Sequence, residues 1–366
     1  MKYLDEFRDP KLVKGVLEEI TVAIDSEVRI MEVCGTHTRA VFKSGIKGLL
    51  PDNVELISGP GCPICVTPSD YIDAAVELAN REEVIVATFG DLMRVPGNKT
   101  SLHQAKADGA DIKVVYSPLD TVELAQQNPD CEVVFLALGF ETTAPTVALN
   151  IKQAARLGLQ NYSILSSLKT MPGVMEELVL SAELNLDGFI CPGHVSTIIG
   201  AEPFEFLAYQ YNLPAVIAGF EPADILLGLY QLLEMEKVGI SQLKNQYSRA
   251  VKYRGNRQAI DRMYDVFTRK DAFWRGLGRI EDTGLRLKNK YKQFSARDKF
   301  EIEISNQQKS EGCICGEILK GIKEPLDCEL FANICTPEKP VGPCMVSAEG
   351  ACAVYYQYQS KRGEGN

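Results

Sequence analysis

Nowhere does this sequence offer the roughly 18 uninterrupted apolar residues of a membrane-spanning helix, and its opening, "MKYLDEFRDPKLVKG", has acids where a secretory signal would have an apolar core. The expectation is a cytoplasmic protein with no membrane partner. Basic residues are also short. Lys and Arg number 39 against 49 Asp and Glu, a formal charge of -10, which argues against a nucleic-acid surface. There is no GxxxxGK[ST] phosphate loop, and both "GPGCPI" and "GLGRIE" break the dinucleotide GxGxxG pattern, so nucleotide binding has no motif behind it. Histidine occurs three times and never after residue 194. Any metal held by the end of the chain must therefore use thiolate or oxygen ligands.

Cysteine, by contrast, is plentiful. Eleven thiols in a chain expected in the reducing cytoplasm are not a disulfide framework. Five lie between Cys34 and Cys191 and six crowd the tail, at Cys313, Cys315, Cys328, Cys335, Cys344 and Cys352, which implies two kinds of sulfur chemistry. The remaining composition, 45% apolar and 24% charged, is that of a soluble globular protein, and 366 residues exceed one typical core.

Short β-branched runs alternate with helical periodicity through the first two thirds, the pattern of an α/β protein with parallel sheets. Candidate strands are 28–33, 54–58, 83–89, 112–117, 132–138, 162–168, 187–191 and 214–218, with helices starting at Ser69 and Pro222. The simplest arrangement is two Rossmann-like four-strand units, 1–130 and 131–236, flanking a cleft. A third region, 237–366, is expected to hold long charged helices, including "NQYSRAVKYRGNRQAIDRMYDVF" and "LRLKNKYKQF", and then the cysteine-rich part. The basic stretch reads as a solvated helix face, with a docking surface for an acidic partner as the alternative.

Four strands run into glycine-containing, reactive segments: "CGTHT" (34–38), "GPGCPIC" (59–65), "GFETTAP" (139–145) and "CPGHVS" (191–196). Ligands bind beyond the carboxyl ends of strands in open parallel sheets, so these loops are expected to converge on one face. Cys34 precedes a probable helix whose N-terminus favours a thiolate, and His37 lies in its first turn. The pair suits a soft or borderline metal such as Fe(II), or nucleophilic catalysis; a buried Cys beside a capping His is the plain alternative. Cys62 and Cys65 form a CxxC between strand and helix, a reversible dithiol in preference to half of a zinc site. Glu141 and His194 add a carboxylate and a second imidazole. Cys131, Cys191 and His103 are assigned to structure. The tail lacks paired CxxC knuckles, and its widely spread thiols suit a [4Fe-4S] cluster or zinc.

Taken in order, "CGTHT", "GPGCPICVTP", "GFETTAP", "CPGHVS" and "CGEIL...DCELF...CTPEKPVGPCMVSAEGAC" resemble the HypD family of [NiFe]-hydrogenase maturation proteins over nearly the whole chain. The resemblance implies an assembly scaffold. With a small HypC-type chaperone, such a protein holds Fe(II) while it gains cyanide, from a HypE-type donor, and carbonyl; the Fe(CN)2CO unit then passes to the hydrogenase large subunit. Carried over, Cys34 would hold iron with a HypC cysteine, His37 beside it, and Cys62 and Cys65 would exchange electrons. One [4Fe-4S] cluster would rest on Cys315, Cys328, Cys335 and Cys352, with Cys313 and Cys344 spare. Two rival readings are an iron-sulfur thiol-disulfide oxidoreductase acting on another protein, and a hydrolase using Cys34 with His37 or His194.

Overall fold

The computed structural model describes residues 5–23, 26–181, 183–304 and 312–359. In it the β-branched runs become β1 (Val28–Glu32), β2 (Val54–Ser58), β3 (Val84–Thr88), β4 (Ile112–Val114), β5 (Glu132–Gly139), β6 (Tyr162–Leu168), β7 (Gly188–Cys191), β8 (Ala215–Ile217) and β9 (Leu243–Asn245). They form two sheets, ordered β2-β1-β7-β8-β9 and β4-β3-β5-β6. Every pairing in both is parallel. The α/β class and its parallel sheets therefore hold.

The sharing of strands differs from the expected split near residue 130. Val84 of β3 is in register with Glu132 of β5, so a cut at 130 would divide one sheet. The second sheet is instead inserted between β2 and β7 of the first. The helix Ser69–Ala79, which follows β2, carries the chain across: its Tyr71 hydroxyl donates to the Leu165 carbonyl of β6 at 2.9 Å.

Strand alternation then sorts the side chains. Val84, Val86, Val134 and Leu136 join a core that also contains Met31, Val33 and Ile57 of the first sheet and the tail residues Cys315, Ile318 and Cys344. Ile85, Val133 and Phe135 point the other way, onto Val147 and Ile151 of the helix Ala144–Leu157. The outer face of the first sheet, with Ile30, Leu56 and Val216, is covered by the helices Pro10–Ala23 and Pro222–Val238. The second of these starts with proline in its first turn and a Glu221/Asp224 capping box.

The expectation of long helices after residue 241 is corrected. One helix, Arg257–Val266, is followed by an antiparallel hairpin of β10 (Phe267–Trp274) and β11 (Gly278–Leu287). Mixed charges on these half-buried strands mask period two. Gly276 and Gly278, both at positive φ, form the turn. The tail has short helices at Cys315–Leu319 and Ala351–Gln359 with loops between, and it docks on the first sheet's side, where the Tyr355 and Phe42 rings lie 4.5 Å apart. Among the described residues no helix is long and apolar enough to cross a membrane.

Candidate thiol site and cysteine-lined cavity

In the first sheet β1 and β7 are neighbours, while the chain leaves β1 for β2 on one side and β7 for β8 on the other. The crevice beyond their carboxyl ends is thus a topological switch point, where open α/β sheets bind ligands. "CGTHT" follows β1 there and "CPGHVS" follows β7. Cys34 caps the helix Gly35–Lys43, and Thr36 Oγ1 lies 3.4 Å from His194 Nδ1. Thr36 also donates to Glu349 from the tail.

The CxxC loop reaches the same place. Gly35 N–H donates to Gly61 O at 3.3 Å. A methyl group on Gly61 would come within 2.3 Å of Cys34 N, and one on Gly35 within 2.5 Å of Glu349 Cβ, so only glycine lets the three loops stack. Beyond Gly61, the Cys62 thiol donates to Ser347 Oγ at 3.2 Å, and the same hydroxyl accepts from Glu349 N–H at 3.2 Å. Cys65 N–H lies 3.4 Å from Cys62 Sγ. The Cys65 thiol also meets Cys344; burial first, and then these two thiols, hold Cys65 well above the ordinary thiol range.

The helix N-terminus was expected to favour a Cys34 thiolate. The N–H groups of Thr36 and His37 do act in that direction, but burial, reinforced by Glu349 and Glu32, prevails and pushes the thiol up to about 12. Cys34 is therefore a neutral thiol until a cation displaces its proton, which disfavours the hydrolase reading. Glu32, buried below it, accepts from Cys34 N–H at 3.1 Å and from the Thr38 hydroxyl. Its burial raises the carboxyl to about 8 against those hydrogen bonds.

His37 is fully buried. Its Nε2 donates to the carbonyls of Gly219 at 3.0 Å and Ala218 at 3.2 Å, leaving Nδ1 without a hydrogen-bond partner among the described residues. Burial lowers it to about 4, so the ring is neutral. Phe220 lies between the imidazoles, 4.6 Å from His37 and 4.1 Å from the exposed His194 by ring centroid. Among the described residues no three His, Cys, Asp or Glu side chains are gathered as one metal ion requires. An ion at Cys34 would need a ligand from elsewhere.

Glu141 follows β5 and so belongs to the other sheet. It accepts from Met171 N–H at 2.9 Å, and burial raises it to about 7. Among the described residues it forms no hydrogen bond or ion pair with Cys34, Cys62 or His194. Packing and hydrogen bonds thus link the loops of Cys34, Cys62, Cys65 and His194, while the Glu141 hydrogen bond runs to Met171. Cys191 is buried at the end of β7, His103 is exposed in the short helix Leu102–Ala107, and Cys131 is half-buried.

All six tail cysteines, Cys313, Cys315, Cys328, Cys335, Cys344 and Cys352, line one small apolar cavity. Arg275, 1% exposed, enters from the β10–β11 turn: Nε donates to Cys315 Sγ at 3.2 Å and Nη1 to Ser69 Oγ at 2.7 Å, while Nη2 has no partner among the described residues. A hydrogen bond from the Cys313 thiol, and then the Arg275 charge, bring Cys315 down to about 6 against its burial. A buried guanidinium beside thiols, with no ion pair to a carboxylate among the described residues, suits an anionic guest. A polynuclear iron-sulfur cluster fits this donor set, since it spreads its thiolates farther apart than a single ion does.

A family model, HypD, described as the hydrogenase formation hypA family, matches residues 11–359. The chain belongs to the HypD family. It is 48% identical over 374 residues to the hydrogenase maturation factor HypD of Rhodobacter capsulatus, covering 99% of each chain. Identity to the HypD of Escherichia coli strain K12 is 44% over 372 residues, the full length of both. With that of Cupriavidus necator it is 42%, covering 98% of this chain and 97% of the relative. Beside the thiols, the fold of this HypD-family chain supplies Glu32, Arg275, Ser347 and Glu349, which sequence reasoning missed. The "SAEGAC" segment was a signal for the last two; nothing in composition marks a buried charge.

Proposed function

We propose that this chain is a [NiFe]-hydrogenase maturation scaffold on which, together with a HypC-type chaperone, an iron ion acquires its cyanide and carbonyl ligands. The observation that carries the reading is the stacking of three loops, which puts the backbone of Cys34 against Gly61 and, through Thr36, against Glu349 and His194. Iron is cargo here. Cys34 gives up its proton and binds it as thiolate, a cysteine of the chaperone supplies the ligand that this chain lacks, and the neutral His37 stands beside them. Cyanide comes from a HypE-type donor, and the Fe(CN)2CO unit goes on to the hydrogenase large subunit.

Cys62 and Cys65 form a dithiol whose closure to a disulfide releases two electrons and two protons. Cys315, Cys328, Cys335 and Cys352 would hold a [4Fe-4S] cluster, with Arg275 as its buried counter-charge and Cys344 left to Cys65. When bound, the cluster supplies electrons one at a time. Cys34→Ala, purified anaerobically with its small partner, is expected to lose the iron-cyanide infrared bands while keeping its brown absorbance. Bands that persist in the variant refute the assignment.

The contact of Cys65 with Cys344 favours one further reading, a thiol-disulfide oxidoreductase serving another protein. That activity needs neither Cys34 nor His37. Turnover of a generic aromatic disulfide, unaffected by Cys34→Ala, would support it; failure to turn over leaves the scaffold reading.

A further inference from the structure

A cavity of about 490 Å³ is remote in character from the thiol site. It is walled by the end of β6, by the β10–β11 hairpin and by the segment 289–298, and Pro68 and Tyr71, just beyond the CxxC loop, close one side. Its charges are unbalanced. Lys169, only 3% exposed, has Nζ on Ser167 Oγ at 2.9 Å and its charge 5.8 Å from the centre of the Trp274 ring; among the described residues no carboxylate pairs with it. Lys270, Arg286 and Arg297 face the same space. Two acids line it, but Asp271 is held by Arg279 and Asp298 lies 3.9 Å from Lys292.

Four cations directed into one cavity repel one another, and a buried ammonium without a counter-ion is costly. The Lys270 ammonium is destabilised first by burial and then by Arg297 and Arg286, with Asp298 the smallest influence and the opposing one, and Lys169 is lowered by burial and then by Lys270 to about 7. A packed core would have no use for this arrangement, and a single carboxylate would leave most of the charge unmatched. A doubly charged oxyanion would be met by ammonium groups, by forked guanidinium donors and by the Ser167 hydroxyl, whose oxygen accepts from Lys169 and whose hydrogen has no acceptor among the described residues.

We infer that the pocket between β6 and the β10–β11 hairpin is a binding site for a phosphate group, with Lys169 and Lys270 as its principal ligands. The inference stands apart from the iron-assembly reading and uses none of its residues. The phosphate is either the free anion or the charged end of a larger phosphate ester.

The test is a thermal melt of the full chain, and calorimetric titration, with sodium phosphate, pyrophosphate or glycerol 3-phosphate against chloride at equal ionic strength. A saturable rise in melting temperature is expected. Free phosphate saturating as tightly as the ester identifies the free anion, and preference for the ester identifies a larger ligand; both uphold the site. Lys169→Met and Lys270→Ala should each weaken binding about tenfold or more, with unchanged far-ultraviolet circular dichroism. If Lys169→Met fails to fold, Lys270→Ala carries the test. No saturable shift with any of the three anions, or unchanged affinity in the folded variants, overturns the assignment.

Discussion

Glu141 illustrates how burial and hydrogen bonding set the chemistry of single residues in this molecule. Its Oε1 accepts from Met171 N–H, its Oε2 has no partner among the described residues, and desolvation raises the carboxyl from 4.5 to about 7. The folded chain thus holds this proton more tightly than the unfolded chain does. Its contribution to stability is complete below pH 4.5 and is lost as the pH rises to about 7, where both states have ionised. Glu141→Gln has no such titration, so it should gain on the wild type by on the order of 3 kcal/mol between pH 4.5 and 8, read from urea midpoints. Parallel pH profiles for the two proteins would show that the carboxyl is not desolvated. Glu141 was legible in the sequence as a carboxylate at a strand end. Its sheet was not, because a strand's neighbours are chosen by packing and not by chain order. Arg275 and Lys169 were illegible for a related reason: a charge that is normally solvated carries no mark in sequence when the fold buries it.

At the scale of elements, the strands were readable because β-branched runs bounded by Gly, Pro and Asn have few other uses. The β10–β11 hairpin was misread as helix. Its strands expose Arg269, Arg279 and Arg286 between half-buried residues, so charge obscured the alternation. That hairpin turn also carries Arg275, which ties the helix beginning at Ser69 to Cys315 and whose own N–H donates to Val66 O at 2.8 Å. In protein reconstituted with iron and sulfide, Arg275→Met removes a buried positive charge beside the proposed cluster, and its midpoint potential should fall, since the more negative reduced state loses most. A redox titration matching the wild type would remove Arg275 from that role.

For the whole molecule, the question is how the two ends of the chain are joined. Tyr355 of the last helix packs on Phe42, donates to Glu324 at 2.7 Å and accepts from Lys47 at 2.5 Å, fastening the cysteine-rich tail to the helix that Cys34 caps. Tyr355→Ala should cost about 3 kcal/mol and make the tail the first fragment released by limited proteolysis. If cleavage begins elsewhere at the wild-type rate, the tail is secured by other contacts. The motif order along the chain announced that its ends cooperate, whereas this clasp of aromatic and charged groups became apparent only in three dimensions.

The insertion of one sheet into the other also sets a timetable. Arg29 N–H donates to the Asp187 carboxylate, 158 residues later, and β1 has no β7 beside it until that stretch has been made. A growing polypeptide therefore cannot pair β1 with β7 until residues 188–191 have been made, and Thr36 gains its Glu349 partner only after the cysteine-rich tail has followed. On the proposed function, iron loading at Cys34 would follow the arrival of Glu349, so a half-made chain would not sequester the metal.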